Sequence, residues 1–336
     1  MQVLVTGATG FTGSRLAVAL AAQGNQVRAM VRQGSDTSYL QDHGMEFFEG
    51  DITDQDAVDR AVSGCEKVYH IAACFRTAGH PDSYYHDVNY SGAQYILDAA
   101  KKHGCERVAH CSTIGVHGSV KDIPSDESAP YAPCDIYQRT KLAGEKLARE
   151  RQKAGQPVSI FRPAGIYGPG DMRLLKLFKT IHSGKFRMVG PGKVNFHMVY
   201  IDDLVDGIIL CGQKQEALGE TFILCGPKYV ALSALVKLVA DAVGVKAPRG
   251  HIPLAPVYAA AMLCEAVCIP FRIEPPLHRR RVGFFTKNRS FTYAKAEKAL
   301  GYVPRFSTAQ GVKATAEWYF ANGHLIDHRN GGSHAA

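Results

Sequence analysis

The sequence lacks the cysteine patterns that build a disulfide framework or a zinc site. Its nine cysteines are odd in number, and no two of them have the CxxC spacing. The N-terminus also lacks a cationic segment followed by a cleavable apolar stretch, because residues 1–6 lead directly into a glycine turn. We therefore expect a cytoplasmic protein with free, mostly buried thiols and no bound metal.

Long hydrophobic runs are absent as well. The most apolar stretch after the N-terminal region, residues 257–269, is interrupted by Glu265 and is shorter than the roughly 20 residues that span a bilayer. We expect no transmembrane segment, and a buried helix at residues 257–269 or a lid there that makes transient contact with lipid. The sequence shows no internal repeat and no low-complexity tract.

Charge of one sign is not in large excess. Lys plus Arg number 39 against 31 Asp plus Glu, and hydrophobic residues make up 46% of the chain, which is typical of a globular protein rather than a disordered one. The charge is spread along the chain except at residues 278–281, a run that is either a solvated surface or a phosphate-binding site. A small-molecule substrate is expected as the partner, and nucleic acid is not.

The hydrophobic pattern predicts an α/β fold with a doubly wound parallel sheet. Short β-branched runs alternate with helical patterns in the first half, which is typical of βαβ units. The predicted strands are residues 3–6, 27–31, 46–49, 68–72 and 108–112. We predict a nucleotide-binding core at 1–167, completed by about 198–226, a smaller C-terminal substrate-binding lobe at 168–197 and 227–327, and a tail at 328–336.

Three glycines separate the first predicted strand from the first predicted helix with a GxxGxxG spacing. Gly7 permits a tight turn, Gly10 lets the backbone approach a pyrophosphate, and Gly13 lets the helix pack on the strand. The free N–H groups of the helix N-terminus would bind the phosphates. The turn, which also contains Thr9 and Phe11, predicts a dinucleotide-binding site.

The end of the second predicted strand indicates which dinucleotide binds. NAD-selective folds have an acidic residue there, about 20 residues after the glycines, that accepts hydrogen bonds from the ribose 2′-hydroxyl. This sequence has Arg32, which is either a ligand for a 2′-phosphate or a solvated strand end. NADP is therefore the preferred cofactor and NAD the alternative. Asp51 and Ile52 are placed to flank the adenine, and Ala72 and Ala73 to let the cofactor pass close by.

Tyr137 and Lys141 are four residues apart at the start of a helical pattern, so their side chains share one helical face. A neighbouring ammonium and a cationic nicotinamide favour the phenolate form of a tyrosine, whose ordinary pKa is about 10. Tyr137 is therefore a candidate acid/base that exchanges a proton with a substrate oxygen while a hydride moves to or from the nicotinamide.

Taken together, these motifs resemble the extended short-chain dehydrogenase/reductase superfamily, with its NAD-dependent epimerase/dehydratase family. The resemblance covers nearly the whole chain. The matching segments are the glycine turn, residues 72–73, 88–92 and 111–118, the Tyr137–Lys141 pair, and residues 162–171, 197–204 and 299–304.

The resemblance implies a Rossmann-type core with a smaller substrate-binding lobe, and it implies a role for each of the matching residues. Tyr137 would be the catalytic acid/base, and Lys141 would hold the nicotinamide ribose. A hydroxyl five residues before Gly118, that of Thr113, would bind the substrate oxygen, and Ser112 would share or replace that role.

Other matching residues would complete the cofactor site. Pro163, Ala164 and Gly165 would line the nicotinamide. Asn89 would brace the active-site backbone, although an ordinary helix cap is its alternative role. The helices after Asn89 and Tyr137 would pair with a second copy, since the family commonly forms homodimers.

The residues near Thr113 restrict the reaction. Sugar-nucleotide 4,6-dehydratases of this superfamily carry an Asp-Glu pair where this chain has Ile114 and Gly115, so dehydration is not expected. A dehydrogenase or reductase, a nucleotide-sugar epimerase and a non-catalytic sensor remain. Many epimerases have Asn at the place of Gly165 and Arg-Asp at the place of residues 196–197.

The absence of those sugar and phosphate ligands favours a lipidic or polycyclic alcohol or ketone as substrate. This is the chemistry of the branch that contains 3β-hydroxysteroid dehydrogenases and dihydroflavonol reductases. Against it, residues 279–281 and 287–289 carry cations that would suit a phosphate.

Overall fold

The computed structural model describes residues 1–75, 80–268 and 282–327. Two segments singled out in the sequence, the cationic run at 278–281 and the tail at 328–336, lie outside these described residues. All nine cysteines are free, and five of them are buried.

A seven-stranded sheet with the order β11-β6-β5-β4-β1-β2-β3 forms the centre of the molecule. Every pair of neighbouring strands in it is parallel. The large sheet and three two-stranded sheets are built from β1 Gln2–Thr6, β2 Gln26–Val31, β3 Glu46–Glu49, β4 Lys67–His70, β5 Arg107–Cys111, β6 Val158–Pro163, β7 Gly165–Tyr167, β8 Met188–Val189, β9 Asn195–Phe196, β10 Met198–Tyr200, β11 Thr221–Leu224, β12 Val230–Ala231 and β13 His251–Ile252. The predicted doubly wound parallel sheet is confirmed.

Helices cover both faces of this sheet, and several begin at the caps that their sequences encode. Asp54 caps α2 by accepting hydrogen bonds from the N–H groups of Asp56 and Ala57 at 3.0 and 3.1 Å. The helices that lie wholly within the described residues are α1 Phe11–Ala22, α2 Gln55–Val62, α3 Asp82–His86, α4 Gly92–Lys102, α5 Ile136–Lys153, α6 Leu175–His182, α7 Ile201–Gln213, α8 Leu232–Ala242, α9 Leu254–Cys268, α10 Ala294–Leu300 and α11 Thr308–Ala321. A π-helical turn, Asp87–Ser91, precedes α4, and 3₁₀ turns lie at Ser38–His43, Ile114–His117 and Gln215–Ala217.

The alternation of side chains along each strand divides the core into two layers. On β1, Val3 and Val5 pack into the layer that includes Leu16 and Leu20 of α1. Leu4 points to the opposite layer, which includes Leu97 of α4. Because helices cover both faces of the sheet, the inner strands are rich in apolar residues, and the carboxyl ends of the strands meet at one edge where a ligand can bind.

The expectation of a buried helix at residues 257–269 is wrong within the part that the structure describes. The helix is α9, Leu254–Cys268, and Ala261 is its only residue that is fully buried. Leu263 and Val267 are 68% and 55% exposed. Apolar composition indicated burial, but most of this helix faces away from the core. Within the described residues, no helix is both long enough and apolar enough to cross a membrane.

Candidate functional site

The glycine turn joins β1 to α1 in a geometry that side chains would disrupt. Gly7 has a φ of +68°, and a Cβ there would lie 2.8 Å from the backbone nitrogen of Ala72. A Cβ on Gly13 would lie 2.1 Å from the Gly7 carbonyl oxygen. Gly10 precedes α1 and provides no side-chain cap, so the N–H groups of the first helical turn are available to an anion.

This turn opens into a cavity of about 480 Å³ along the carboxyl edge of the sheet, which we call the cofactor cavity. Thirteen of the residues predicted to bind the cofactor line it: Gly7, Thr9, Gly10, Phe11, Gly13, Arg32, Asp51, Ile52, Ala72, Ala73, Tyr137, Lys141 and Pro163. The glycine cradle, the open helix N-terminus and the elongated row of lining residues fit a dinucleotide.

Three residues predicted for the cofactor site do not line this cavity. Ala164 and Gly165 line the neighbouring cavity described below. Asn89 is 1% exposed and lies in the π-helical turn, where it caps no helix. Its Oδ1 accepts a hydrogen bond from the Cys74 N–H at 2.9 Å, and its Nδ2 donates to the Cys74 carbonyl and to Thr140 Oγ1 at 3.2 and 3.0 Å. Asn89 thus fixes the backbone that borders the cofactor cavity.

Arg32 lies at the end of the cavity near β2. Its Nη1 is 3.5 Å from the hydroxyl of Tyr84, and the His80 ring stacks on Tyr84 with the ring centroids 4.3 Å apart. The nearby carboxylate of Asp51 accepts hydrogen bonds from the N–H and hydroxyl of Thr53 at 2.9 and 2.8 Å. A guanidinium with adjacent aromatic groups therefore occupies the place where NAD-selective folds have an acid.

Helix α5 carries Tyr137 and Lys141 to the middle of the cofactor cavity. It starts where the Asp135 side chain accepts a hydrogen bond from the Gln138 N–H at 2.8 Å. Lys141 is 1% exposed, and its ammonium donates to the Cys111 carbonyl at the end of β5 at 2.6 Å. Burial lowers the pKa of Lys141, an effect that the neighbouring Cys111 and Glu145 oppose. The lysine is thus held against the strand end that borders the reacting groups.

The two hydroxyls at the end of β5 face different surroundings. Ser112 is 1% exposed, and its hydroxyl donates to Glu145 Oε2 at 2.5 Å. Thr113 lines the neighbouring cavity, and its Oγ1 accepts a hydrogen bond from the Gly115 N–H at 3.0 Å. The hydroxyl proton of Thr113 can therefore still be donated to a substrate, whereas the Ser112 hydroxyl is directed into the protein.

Behind these hydroxyls lies a buried ion pair between Glu145 of α5 and Arg162 of β6. Both side chains have no exposed surface, and Arg162 donates to the two carboxylate oxygens of Glu145 at 2.9 and 2.5 Å. Tyr131 donates to Glu145 and accepts from Arg162, each at 2.9 Å. Burial by itself raises the pKa of Glu145, but Arg162, Ser112 and Tyr131 together bring it down to about 2. The ion pair, together with the hydrogen bond from Ser112, therefore holds α5 against the ends of β5 and β6.

A second cavity of about 810 Å³, which we call the substrate cavity, adjoins the cofactor cavity. Five residues line both of them: Phe75, Tyr137, Pro163, Ile166 and Arg173. Tyr137 therefore stands between the two spaces, where a tyrosine must be if it is to exchange a proton with a substrate beside a nicotinamide.

Sequence reasoning assigned no site role to three of these shared residues, Phe75, Ile166 and Arg173. The Arg173 guanidinium lies over the rings of Phe11 and Phe75, at 5.2 and 5.8 Å from their centroids, and its Nε donates to Asp171 at 2.7 Å. The position of Arg173 directly after the 162–171 motif is the signal that could have identified it. Phe75, which follows Ala72 and Ala73, contacts the Tyr137 ring edge-on at a centroid distance of 4.9 Å.

The substrate cavity has a mixed lining. Its apolar side chains include Ile114, Leu174, Phe196, Val282 and Phe284, and its cations include Lys287 and Arg289. His197 also borders it, but both of its ring nitrogens are engaged: Nε2 lies 2.8 Å from the Gly226 carbonyl, and Nδ1 accepts from the Phe291 N–H at 3.2 Å.

Comparison with known proteins identifies the class of protein that this fold and site define. Residues 3–225 match the model of the NAD dependent epimerase/dehydratase family. The chain therefore belongs to that family and to the extended short-chain dehydrogenase/reductases, and it is an NAD(P)-dependent enzyme. The resemblance stated from the sequence motifs is confirmed.

Individual relatives include enzymes with different substrates. The chain is 29% identical to a 4-hydroxy-2-methyl-3-oxo-4-farnesyl-3,4-dihydroquinoline-1-oxide ketoreductase of Stigmatella aurantiaca, covering 98% of this chain and 100% of that one. It is also 29% identical to sterol demethylase protein B of Methylococcus capsulatus, covering 96% and 99%. Among solved structures, it is similar to a dTDP-glucose 4,6-dehydratase of Streptomyces venezuelae with NAD bound, at a TM-score of 0.76 and 26% identity, covering 96% and 98%.

Proposed function

We propose that the protein is a dehydrogenase or reductase that transfers a hydride between a nicotinamide and a secondary alcohol or ketone of a lipidic or polycyclic substrate. The observation that carries this proposal is the position of Tyr137 between the cofactor cavity and a large cavity with aromatic and aliphatic side chains. A volume of about 810 Å³ is ample for such a molecule.

In the proposed mechanism, the Tyr137 hydroxyl gives a proton to the carbonyl oxygen during reduction, and the Tyr137 phenolate removes the proton from the alcohol during oxidation. A bound nicotinamide supplies or accepts the hydride. Thr113 donates a hydrogen bond to the same oxygen. Lys141 holds positive charge beside the site and positions the nicotinamide ribose. Glu145 and Arg162 act indirectly, because they position α5 against the strand ends that carry Ser112 and Thr113.

The relatives with named substrates support a hydrophobic ketone, since the ketoreductase acts on a farnesylated quinoline oxide and another relative is named for sterol demethylation. Ile114 and Gly115, which replace the acid pair of dehydratases, line the substrate cavity and provide no second acid or base. These two side chains argue against dehydration even though a dehydratase is among the similar structures.

A nucleotide-sugar 4-epimerase is the second candidate, and one observation favours it. Lys287 and Arg289 line the substrate cavity and would suit a diphosphate. The guanidinium of Arg289 lies 5.3 Å from the centroid of the Phe196 ring, so the cation is packed against an aromatic face of the same cavity. An epimerase returns the hydride to its own substrate and causes no net oxidation or reduction of the cofactor. A dehydrogenase or reductase does cause such a net change, which distinguishes the two candidates.

Net turnover of the cofactor tests the proposal. With a hydrophobic secondary alcohol or ketone, we expect one cofactor molecule to be reduced or oxidised for each substrate molecule converted, because each turnover of a dehydrogenase or reductase needs a fresh cofactor. The absorbance of the free nicotinamide measures this change. UDP-hexoses should bind weakly. Conversion of a UDP-hexose to its C4 epimer without net change of the cofactor would contradict the proposal and favour the epimerase.

We further propose that NADP(H) is the preferred cofactor. The Arg32 guanidinium, in the position that an acid occupies in NAD-selective folds, would form charge-assisted hydrogen bonds with a 2′-phosphate. Fluorescence titration should show NADPH binding several-fold tighter than NADH, and Arg32→Ala should remove most of that difference. Arg60→Ala, an exposed arginine on α2, is the control and should change neither affinity. Equal affinities in the unmodified protein would refute the 2′-phosphate assignment.

A further inference from the structure

The exposed side of helix α9 is apolar apart from the partly exposed Glu265 at one edge. At 100° per residue, its exposed positions cover roughly two thirds of the helix circumference. They include no charged side chain and consist of Leu254, Ala255, Pro256, Tyr258, Ala259, Ala260, Met262, Leu263, Ala266 and Val267, which we call the outer face of α9. Scattered apolar residues are normal on a surface, but a contiguous apolar patch of this kind marks an interaction site.

One edge of the outer face of α9 borders the substrate cavity. Tyr258, which belongs to the outer face, and the partly exposed Glu265, the only acidic residue of α9, both line that cavity. The substrate cavity therefore reaches the edge of the outer face. A molecule that left an apolar phase at the outer face would meet the cavity at this edge.

Cations lie at the N-terminal end of α9. Lys246 and Arg249 are exposed and precede the helix. Strand β13, which leads into α9, pairs with β8, and the exposed Arg187 directly precedes β8. Positive charge beside an apolar surface is complementary to anionic lipid headgroups, which attract nearby Lys and Arg side chains.

We propose that the outer face of α9 docks on the surface of an anionic lipid bilayer, from which the hydrophobic substrate enters the substrate cavity. The entry route rests on the proposed function, whereas the docking does not. The 15 residues of α9 measure about 22 Å, less than the roughly 30 Å hydrocarbon core, so the helix would lie in the interface rather than span it. A fluid apolar layer can cover a wide helical arc, whereas packing against a second copy normally covers a narrower stripe.

Co-sedimentation of the full chain with vesicles tests the docking. We expect binding to vesicles of phosphatidylcholine with phosphatidylglycerol, and at least tenfold weaker partitioning for Leu263→Gln/Val267→Gln, because two exposed apolar side chains no longer enter the lipid. Neither residue lines the cofactor cavity or the substrate cavity. The matched control is Val303→Gln/Ile326→Gln, at positions that are 63% and 70% exposed, and it should bind as the unmodified protein does. Lys246→Gln/Arg249→Gln should weaken binding only when the vesicles contain phosphatidylglycerol.

Several results would overturn the docking. One is that the unmodified protein does not bind vesicles, and another is that the test and control variants lose vesicle binding equally. A third is a dimer in light scattering that Leu263→Gln/Val267→Gln dissociates, in a protein that binds no vesicles. Unchanged thermal unfolding of the variants verifies that they fold.

The entry route predicts a lower kcat/KM for vesicle-borne substrate in Leu263→Gln/Val267→Gln, with no change for a short water-soluble analogue. Vesicle binding by a protein that turns over only UDP-hexoses would support the docking and reject the proposed substrate class.

Discussion

Replacing Tyr137 by Phe should lower turnover by about two to four orders of magnitude, the range typical of a lost general acid/base. The substitution removes only the hydroxyl, so the ring should keep its edge-on contact with Phe75 and the shape of both cavities should persist. Affinity for the cofactor should therefore stay nearly unchanged. Steady-state kinetics together with fluorescence titration of the cofactor measure both quantities.

Lys141→Met provides the contrast for this experiment. Lys141 lines the cofactor cavity, and its ammonium donates a hydrogen bond to the Cys111 carbonyl. Loss of this ammonium should therefore weaken cofactor binding as well as turnover. Full activity of Tyr137→Phe would remove this tyrosine from the mechanism. An equal loss of cofactor affinity in both variants would show that Tyr137 mainly shapes the cavity.

Replacing Arg162 by Met should destabilise the fold by about 3–5 kcal/mol, because it leaves the buried carboxylate of Glu145 without its main partner. Denaturant unfolding measures the change. Arg149→Met is the matched control: Arg149 also reaches Glu145, with its Nε 3.3 Å from Oε1, but its side chain is 38% exposed. An exposed pair contributes at most about 1 kcal/mol, so this variant should be close to the unmodified protein.

The pH dependence of unfolding should show the same ion pair. Since Arg162 and its neighbours lower the pKa of Glu145 to about 2, the contribution of the pair is fully present above the ordinary carboxyl pKa and is lost as the pH falls from there to about 2. In Arg162→Met the buried Glu145 carboxyl lacks its main partner, so burial raises its pKa and favours the protonated form. The difference in unfolding free energy between the two proteins should therefore shrink from pH 7 to pH 4, and a constant difference would contradict the assignment.

The sequence by itself determined the parts of this protein that local rules control. The strand ranges and the turn at Gly7, Gly10 and Gly13 follow from hydrophobic periodicity and from the steric demands of a tight strand-to-helix turn. The spacing of Tyr137 and Lys141 follows from the helical repeat. These features depend on neighbours within a few residues, so the sequence predicted the Rossmann-type sheet that the structure has.

Only the tertiary structure decided which side chains face the cavities. Ser112 and Thr113 are adjacent and chemically alike, but the distant Glu145 takes the hydroxyl of one and leaves that of the other beside the substrate cavity. Arg173 lines both cavities because β7 and the chain after it fold back over the glycine turn. The apolar sequence of α9 predicted burial, because composition records how hydrophobic a helix is and not which elements pack against it.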